Sequence, residues 1–370
     1  MNAPKVSLIT LHRVKNYGSV LQAFATQELL RQTGAQVEVV DYWRPDLADG
    51  VDDYFDRSRW ARYPFMRLPF RALKSRWVKR NRIVFNDFIE ESFSLSGTRY
   101  MSPIELERNP PVADVFCVGS DQVWNGDYNV GGSMPFFLTF APASARRISF
   151  SSSFGRSNLD DATSALARAE LPKFAAVSVR ERSGVEMLAE MGVESTHTLD
   201  PVLAVNPCFW RDFATAPKDN SRRLVVYQLN QSPQFDAVVA RAEKKLGVQA
   251  TRIDIRGSRP SSRHRVTQPT LREWVSLFRH SEYVITDSFH GTAFSLIFNV
   301  PFSVVLPGTY GDRLRSVLEV AGLADRLVSD GVSCDSSAIN WSLVNSRLDA
   351  ARGASREYLD RAVNALRGQR

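Results

Sequence analysis

Hydrophobic positions fall into short runs of two kinds that alternate almost from end to end. Val6–Leu11 is a nearly continuous apolar run of strand length. Val20–Arg31 follows, with Val20, Leu21, Phe24, Leu29 and Leu30 at helical spacing, and stops before Gly34. Val37–Val40 then completes a β-α-β unit of ordinary length. Further strands are predicted at Val115–Val118, Ile148–Phe150 and Val177–Val179. A second series comprises Leu224–Tyr227, Thr251–Ile255, Tyr283–Thr286 and Ser303–Leu306, with helical spacing between them at Phe235–Leu246 and Leu271–Phe278. Such alternation predicts parallel sheets covered by helices.

A chain of 370 residues exceeds one comfortable core, so about two domains are expected. The polar, proline-bearing stretch Asn206–Arg223 marks a boundary, and Phe154–Leu171 offers an earlier alternative. The expected fold class is α/β, two Rossmann-like domains facing a cleft. Residues 1–205 form the first, residues 206–350 the second, and residues 351–370, with a helical pattern at Glu357–Leu366, cross back onto the first. In such sheets ligands bind beyond the carboxyl ends of the strands, which directs attention to four strand ends.

After Tyr283–Thr286 the chain reads DSFHGT and opens a helix. A strand-to-helix turn leaves backbone N–H groups unpaired at the positive end of the helix dipole, a ready anion site. Ser288 or Asp287 can cap this helix, Gly291 admits a close approach to the backbone, and Thr292 completes the first turn. His290 is then placed to donate to a phosphate or carboxylate, or to work as a general acid. A capped helix with a locally satisfied histidine is the bland alternative. After Val177–Val179, Arg180 presents a planar fork suited to anionic oxygens, with a salt bridge to Glu181 or Glu186 as its ordinary explanation. Arg313 is a weaker candidate of the same kind. After Val6–Leu11, Asn16, Tyr17 and Gly18 lead into a helix; the alternative is a turn with a core tyrosine. After Val115–Val118 come Ser120, Asp121 and Trp124, a turn with a carboxylate and an indole suited to stacking on a sugar, or a surface turn with a core indole.

Absences narrow the chemistry. There is no G-x-G-x-x-G, no P-loop, no G-x-S-x-G, no H-E-x-x-H and no paired C-x-x-C, so no metal site is expected. No apolar run reaches the length of a bilayer span. The chain begins with a strand-like run rather than a signal-peptide hydrophobic region, and Cys117, Cys208 and Cys334 are few and scattered. A cytoplasmic location is expected.

The net charge of +7 is unevenly placed. Between Arg57 and Arg82 stand ten basic residues and no acidic one, so the rest of the chain is slightly acidic. Trp60, Tyr63, Phe65, Met66, Phe70 and Trp77 are interleaved with the cations. The segment suits an anionic membrane or another polyanion, although an exposed linker and helix packed on its own domain accounts for it as well.

Six blocks together carry a resemblance: NYGSVLQAFATQELL, GSDQVWN, SFG at Ser153–Gly155, VSVRERSG, LDPVL at Leu199–Leu203 and ITDSFHGTAFSLIFNVPF. In this order and spacing, from about Val6 to Arg326, they resemble the polysaccharide pyruvyl transferase family. FSSSFG at Phe150–Gly155 and DPVLAV at Asp200–Val205 are loose variants of the usual blocks, and the region between Asp46 and Val112 carries little of the likeness. The resemblance implies a fold similar to GT-B glycosyltransferases and phosphoenolpyruvate as donor, with no cofactor. It also implies pyruvyl transfer onto sugar hydroxyls, commonly as a cyclic ketal on a surface polysaccharide or its lipid-linked precursor. Carried over by motif, His290 and Arg180 become the catalytic, donor-site residues. A donor with both a carboxylate and a phosphate then needs further anchors, for which Ser288, Gly291 and Thr292 at the helix N-terminus, and Arg313, are the candidates. On this reading His290 acts as an imidazolium, Asp121 or Asp287 is the base, and Asn16, Tyr17, Gly18, Ser120 and Trp124 line the acceptor side. The basic segment 57–82 would hold the enzyme at the inner leaflet; nucleic acid is not an expected partner. Two alternatives stand beside this: a nucleotide-sugar glycosyltransferase of the same shape, and a non-enzymatic polyanion- or membrane-binding protein.

Overall fold

The computed structural model describes residues 3–365 apart from 48–49, 57, 130–132, 157, 217–222, 256, 258–260, 307–310 and 329–337. Arg57, Cys334, Leu366 and part of the Asn206–Arg223 stretch therefore lie outside the described residues.

The first sheet contains β1 (Lys5–Ile9), β2 (Gln36–Tyr42), β3 (Leu95–Tyr100), β4 (Val115–Val118) and β5 (Arg146–Ser149), in the spatial order β3-β2-β1-β4-β5. The short pair β6 (Ser178–Val179) and β7 (Thr196–His197) continues this face through bridges from Ile148 to Ala176 and from Ser152 to Val179. The second sheet contains β8 (Leu224–Tyr227), β9 (Ala250–Asp254), β10 (Arg265–Thr267), β11 (Tyr283–Thr286), β12 (Phe302–Val305) and β13 (Leu327–Val328), in the order β10-β9-β8-β11-β12-β13. Every pairing within the two sheets is parallel. The central strands β4, β8 and β11 are buried throughout, and so consist of continuous apolar or β-branched runs.

In each sheet the strand order reverses once, between β1 and β4 and between β8 and β11. A ligand crevice forms beyond the carboxyl ends at such switch points. One apolar cluster runs through the seam between the sheets. Tyr17 stacks on Trp274 with ring centroids 5.5 Å apart, and its hydroxyl donates to Pro269 O at 2.6 Å. Trp210 meets Phe294 edge-on at 5.0 Å.

The C-terminal helix begins at Trp341, sixteen residues before the predicted pattern at Glu357, because its early turns bury only Val344 and Leu348 and read as polar. It lies on the first sheet: Tyr358 donates to Ser149 O, and Arg146 donates to Ala362 O. Within the basic segment, Arg67–Asn81 is a helix. Its last turn reaches the second sheet's domain, where Arg80 donates to Gln268 O and Gln268 donates to Asn81.

Candidate active site

The loops after the switch-point strands of the two sheets meet in a small cleft of about 120 Å³. Asn16, Ser19, Asp121, Gln122 and Tyr128 line it from the first sheet. Leu229, Asn230, Asp287, Ser288, His290 and Arg313 line it from the second.

Two helix N-termini converge there. Asn16 has extended backbone and caps the helix Tyr17–Gln32, its side chain accepting from Gly18 N at 2.9 Å and Ser19 N at 3.3 Å. Ser288 caps the helix Phe289–Ile297 through Gly291 N at 3.4 Å. Both helices aim their positive ends into the cleft, which therefore favours anions.

Asp121 occupies the left-handed region, with φ 71°, at the end of β4. Aspartate tolerates this backbone better than most residues. Its carboxylate accepts from the Ser19 hydroxyl and lies 3.5 Å from Arg180. Burial opposes its ionisation, but Arg180, His290 and Ser19 together outweigh burial and hold it below the usual carboxylate range.

Arg180 is deeply buried beneath the cleft. It donates to Asp200 at 2.7 Å and Glu181 at 3.2 Å, and its guanidinium lies 4.7 Å from the Phe289 ring centre. Burial works against its charge, yet the neighbouring carboxylates push its pKa above the ordinary arginine value. Two of its nitrogens are thus held by protein carboxylates, while Nη2, 3.5 Å from Asp121, has no hydrogen-bond partner among the described residues. The cation that lines the cleft is Arg313, half-buried on the helix Asp312–Ala321, whose Nε has no hydrogen-bond partner among the described residues.

His290 is buried, and its Nε2, also without a hydrogen-bond partner among the described residues, stands 3.8 Å from Asp200 Oδ2. Burial lowers its pKa, against the pull of Asp200 and Asp121 in the other direction. The balance favours the neutral ring in the free protein.

Several expected cleft residues serve the framework instead. Trp124 is fully buried, donates to Phe136 O at 2.9 Å and stacks on Phe137, so no ring face is left for a sugar. Tyr17 lies in the seam, and Ser120 is buried and donates to Asp200. Thr292 is buried and donates to Ser288 O. Gly291 admits β11 rather than a ligand, since a Cβ there would lie 2.5 Å from Thr286 Oγ1. Asp287 accepts from the backbone N–H groups of Leu229 and Asn230, each at 2.7 Å, and so ties down the loop after β8. Burial raises its pKa, with those hydrogen bonds opposing.

The residue that sequence reasoning left out is Asp200. It caps the short helix Pro201–Ala204 through Val202 N and gathers Ser120, Arg180 and His290 around one oxygen. Its signal was the LDPVL block, where an aspartate before proline reads as an ordinary cap. Ser19, beside Asp121, was equally silent because its partner is distant in sequence.

The chain matches the family model for polysaccharide pyruvyl transferase over residues 16–307. No curated protein matches the sequence significantly. Among solved structures, a Staphylococcus aureus MnaA–UDP complex shares 10% identity with a TM-score of 0.51, over 97% of this chain and 90% of that one. UDP-GlcNAc 2-epimerase from Methanocaldococcus jannaschii shares 12% identity with a TM-score of 0.50, over 93% and 92% of the two chains. Identities this low speak to the fold alone, which is the GT-B fold.

Proposed function

The chain belongs to the polysaccharide pyruvyl transferase family, and on that premise we propose that it moves the pyruvyl group of phosphoenolpyruvate onto hydroxyls of a saccharide destined for a surface polysaccharide. The observation that carries this reading is the pair formed by His290 and Arg313. One ring nitrogen and one guanidinium nitrogen, both buried and neither hydrogen-bonded among the described residues, belong to side chains lining the cleft where two helix N-termini converge. A donor bearing both a carboxylate and a phosphate supplies the acceptors that such a site lacks.

The donor's phosphate and carboxylate lie between Arg313 and the first turn of Phe289–Ile297. Their negative charge reverses the balance at His290, which takes up a proton as the donor binds. The acceptor hydroxyl oxygen then bonds to C2 of the donor while C3 takes the imidazolium proton and becomes a methyl group. The hydroxyl proton passes to the Asp121 carboxylate and from there restores His290. The bond from C2 to the phosphate oxygen next breaks, with the electron pair leaving on phosphate. A second hydroxyl closes the ketal, and its proton leaves on the phosphate. Arg180 does not contact the donor on this account; held by Asp200, Glu181 and Asp121, it positions Asp121 and the Phe289 turn.

The scattered cysteines, with Cys117 buried and Cys208 exposed, fit a reducing, cytoplasmic site of action. Thermal-shift titration tests the donor assignment. Phosphoenolpyruvate near a hundred times its dissociation constant should stabilise the protein by about 2.7 kcal/mol, while UDP-, GDP- and CMP-sugars leave it unchanged. Stabilisation by a nucleotide sugar and none by phosphoenolpyruvate would replace this reading with glycosyl transfer.

A further inference from the structure

The basic segment carries an apolar surface that its own fold does not cover. Phe65, Leu68 and Leu73 are 74%, 76% and 77% exposed, all within nine residues, and Trp60 and Tyr63 stand partly exposed beside them. The segment is anchored from below. Phe70 packs on Phe55, and Trp77 closes on Gly257, where a Cβ would lie 2.5 Å from the indole. Arg80 and Asn81 tie the last turn to Gln268. A helix fastened at its end and along one side thus presents its other side outward.

The cations divide into two groups. Arg67 and Arg71 face Asp52 and Asp56 and are neutralised there. Arg59 lies over Trp60 at 5.0 Å and Arg62 over Tyr63 at 5.6 Å, while Arg76 and Lys79 are exposed farther along the helix. No acidic residue occurs between Asp56 and Asp87. The exposed surface is therefore cationic and aromatic together, with Phe65 and the two leucines projecting among the charges.

We propose that this face, from Arg59 to Lys79, docks the protein on an anionic lipid bilayer. Phospholipid headgroups match the single sign of charge, each cation near the surface contributing about 1 kcal/mol. The boundary between headgroups and acyl chains accepts Phe65, Leu68 and Leu73, while the ring-bound arginines stay at headgroup level. A groove of about 610 Å³, lined by Lys15, Arg59, Trp60 and Lys74 among others, opens beside this face. The docking does not rest on the transfer reading above.

Vesicle co-sedimentation tests the proposal, using phosphatidylcholine alone and phosphatidylcholine mixed with phosphatidylglycerol. The wild-type chain is compared with Phe65→Ser/Leu68→Ser/Leu73→Ser and with Arg62→Glu/Arg76→Glu/Lys79→Glu. The wild type should bind the anionic vesicles at least about tenfold more tightly, and both variants should lose that preference while keeping their melting temperature. Equal or negligible binding of the wild type to both vesicles overturns the proposal, as does undiminished binding by the variants. Light scattering that shows a wild-type dimer and a monomeric serine variant also overturns it, since a second copy would then cover the face. Vesicle binding without any stabilisation by phosphoenolpyruvate would sink the transfer reading and leave the docking intact.

Discussion

Gly18 and His290 belong to different sheets' domains, yet a Cβ placed on Gly18 would lie 1.9 Å from His290 Nδ1. The first turn of one helix is thus the floor on which the imidazole of the other rests. Gly18→Ala should displace the ring and weaken phosphoenolpyruvate binding at least about tenfold, with an overpacking cost of about 1–3 kcal/mol. Calorimetric titration and a urea midpoint measure the two effects separately. Unchanged donor affinity would show that the position of this ring does not matter.

The two arginines should separate binding from stability. Arg180→Ala leaves Asp200, Glu181 and Asp121 buried without their cation, and should cost about 3–5 kcal/mol. Arg313→Ala removes a half-buried cation whose Nε has no hydrogen-bond partner among the described residues, so its melting temperature should hold while donor affinity falls about 10–100-fold. Thermal unfolding with and without phosphoenolpyruvate distinguishes them; the reverse pattern would exchange their roles.

Trp124→Phe should lower stability by about 1–3 kcal/mol, through the lost hydrogen bond to Phe136 O and poorer packing. Donor and acceptor affinities should not change, because the indole faces the core. A selective loss of saccharide affinity at unchanged stability would contradict that placement.

The direction of the His290 shift fixes two pH effects. Its folded pKa lies below the unfolded value near 6.5, so the unfolded chain takes the proton first. Stability therefore falls as pH drops through about 6.5, and stops falling on this account below the folded pKa. Donor binding has the opposite linkage, because the bound anion favours the imidazolium. Affinity for phosphoenolpyruvate should rise on going from about pH 8 to about pH 6.5, and His290→Ala should flatten that rise. Titrations across this range measure it; an identical slope in both proteins would assign the proton elsewhere, including the donor's own phosphate.

The parallel α/β reading was legible where burial on both sides forces continuous apolar runs. Val115–Val118, Leu224–Tyr227 and Tyr283–Thr286 are strands at those bounds. The edge strand Leu95–Tyr100, with sequence LSGTRY, was invisible because an exposed edge needs no such run. At the site, the strand-end rule found Asn16, Asp121, Ser288 and His290, which share the cleft with the weaker candidate Arg313. It equally selected Trp124, Ser120 and Thr292, since a polar residue after a strand looks alike whether it faces ligand or core. Asp200 and Ser19 escaped because their importance lies in contacts with Arg180, His290 and Asp121, which only the closed fold brings together.

The most direct measurement is calorimetric titration of phosphoenolpyruvate into the wild type, His290→Ala and Arg313→Ala, beside UDP-GlcNAc. One saturable phosphoenolpyruvate site is expected, weakened at least about tenfold in each variant, with no heat from the nucleotide sugar. Phosphoenolpyruvate binding of equal strength in all three proteins, or saturable binding of UDP-GlcNAc alone, would contradict it.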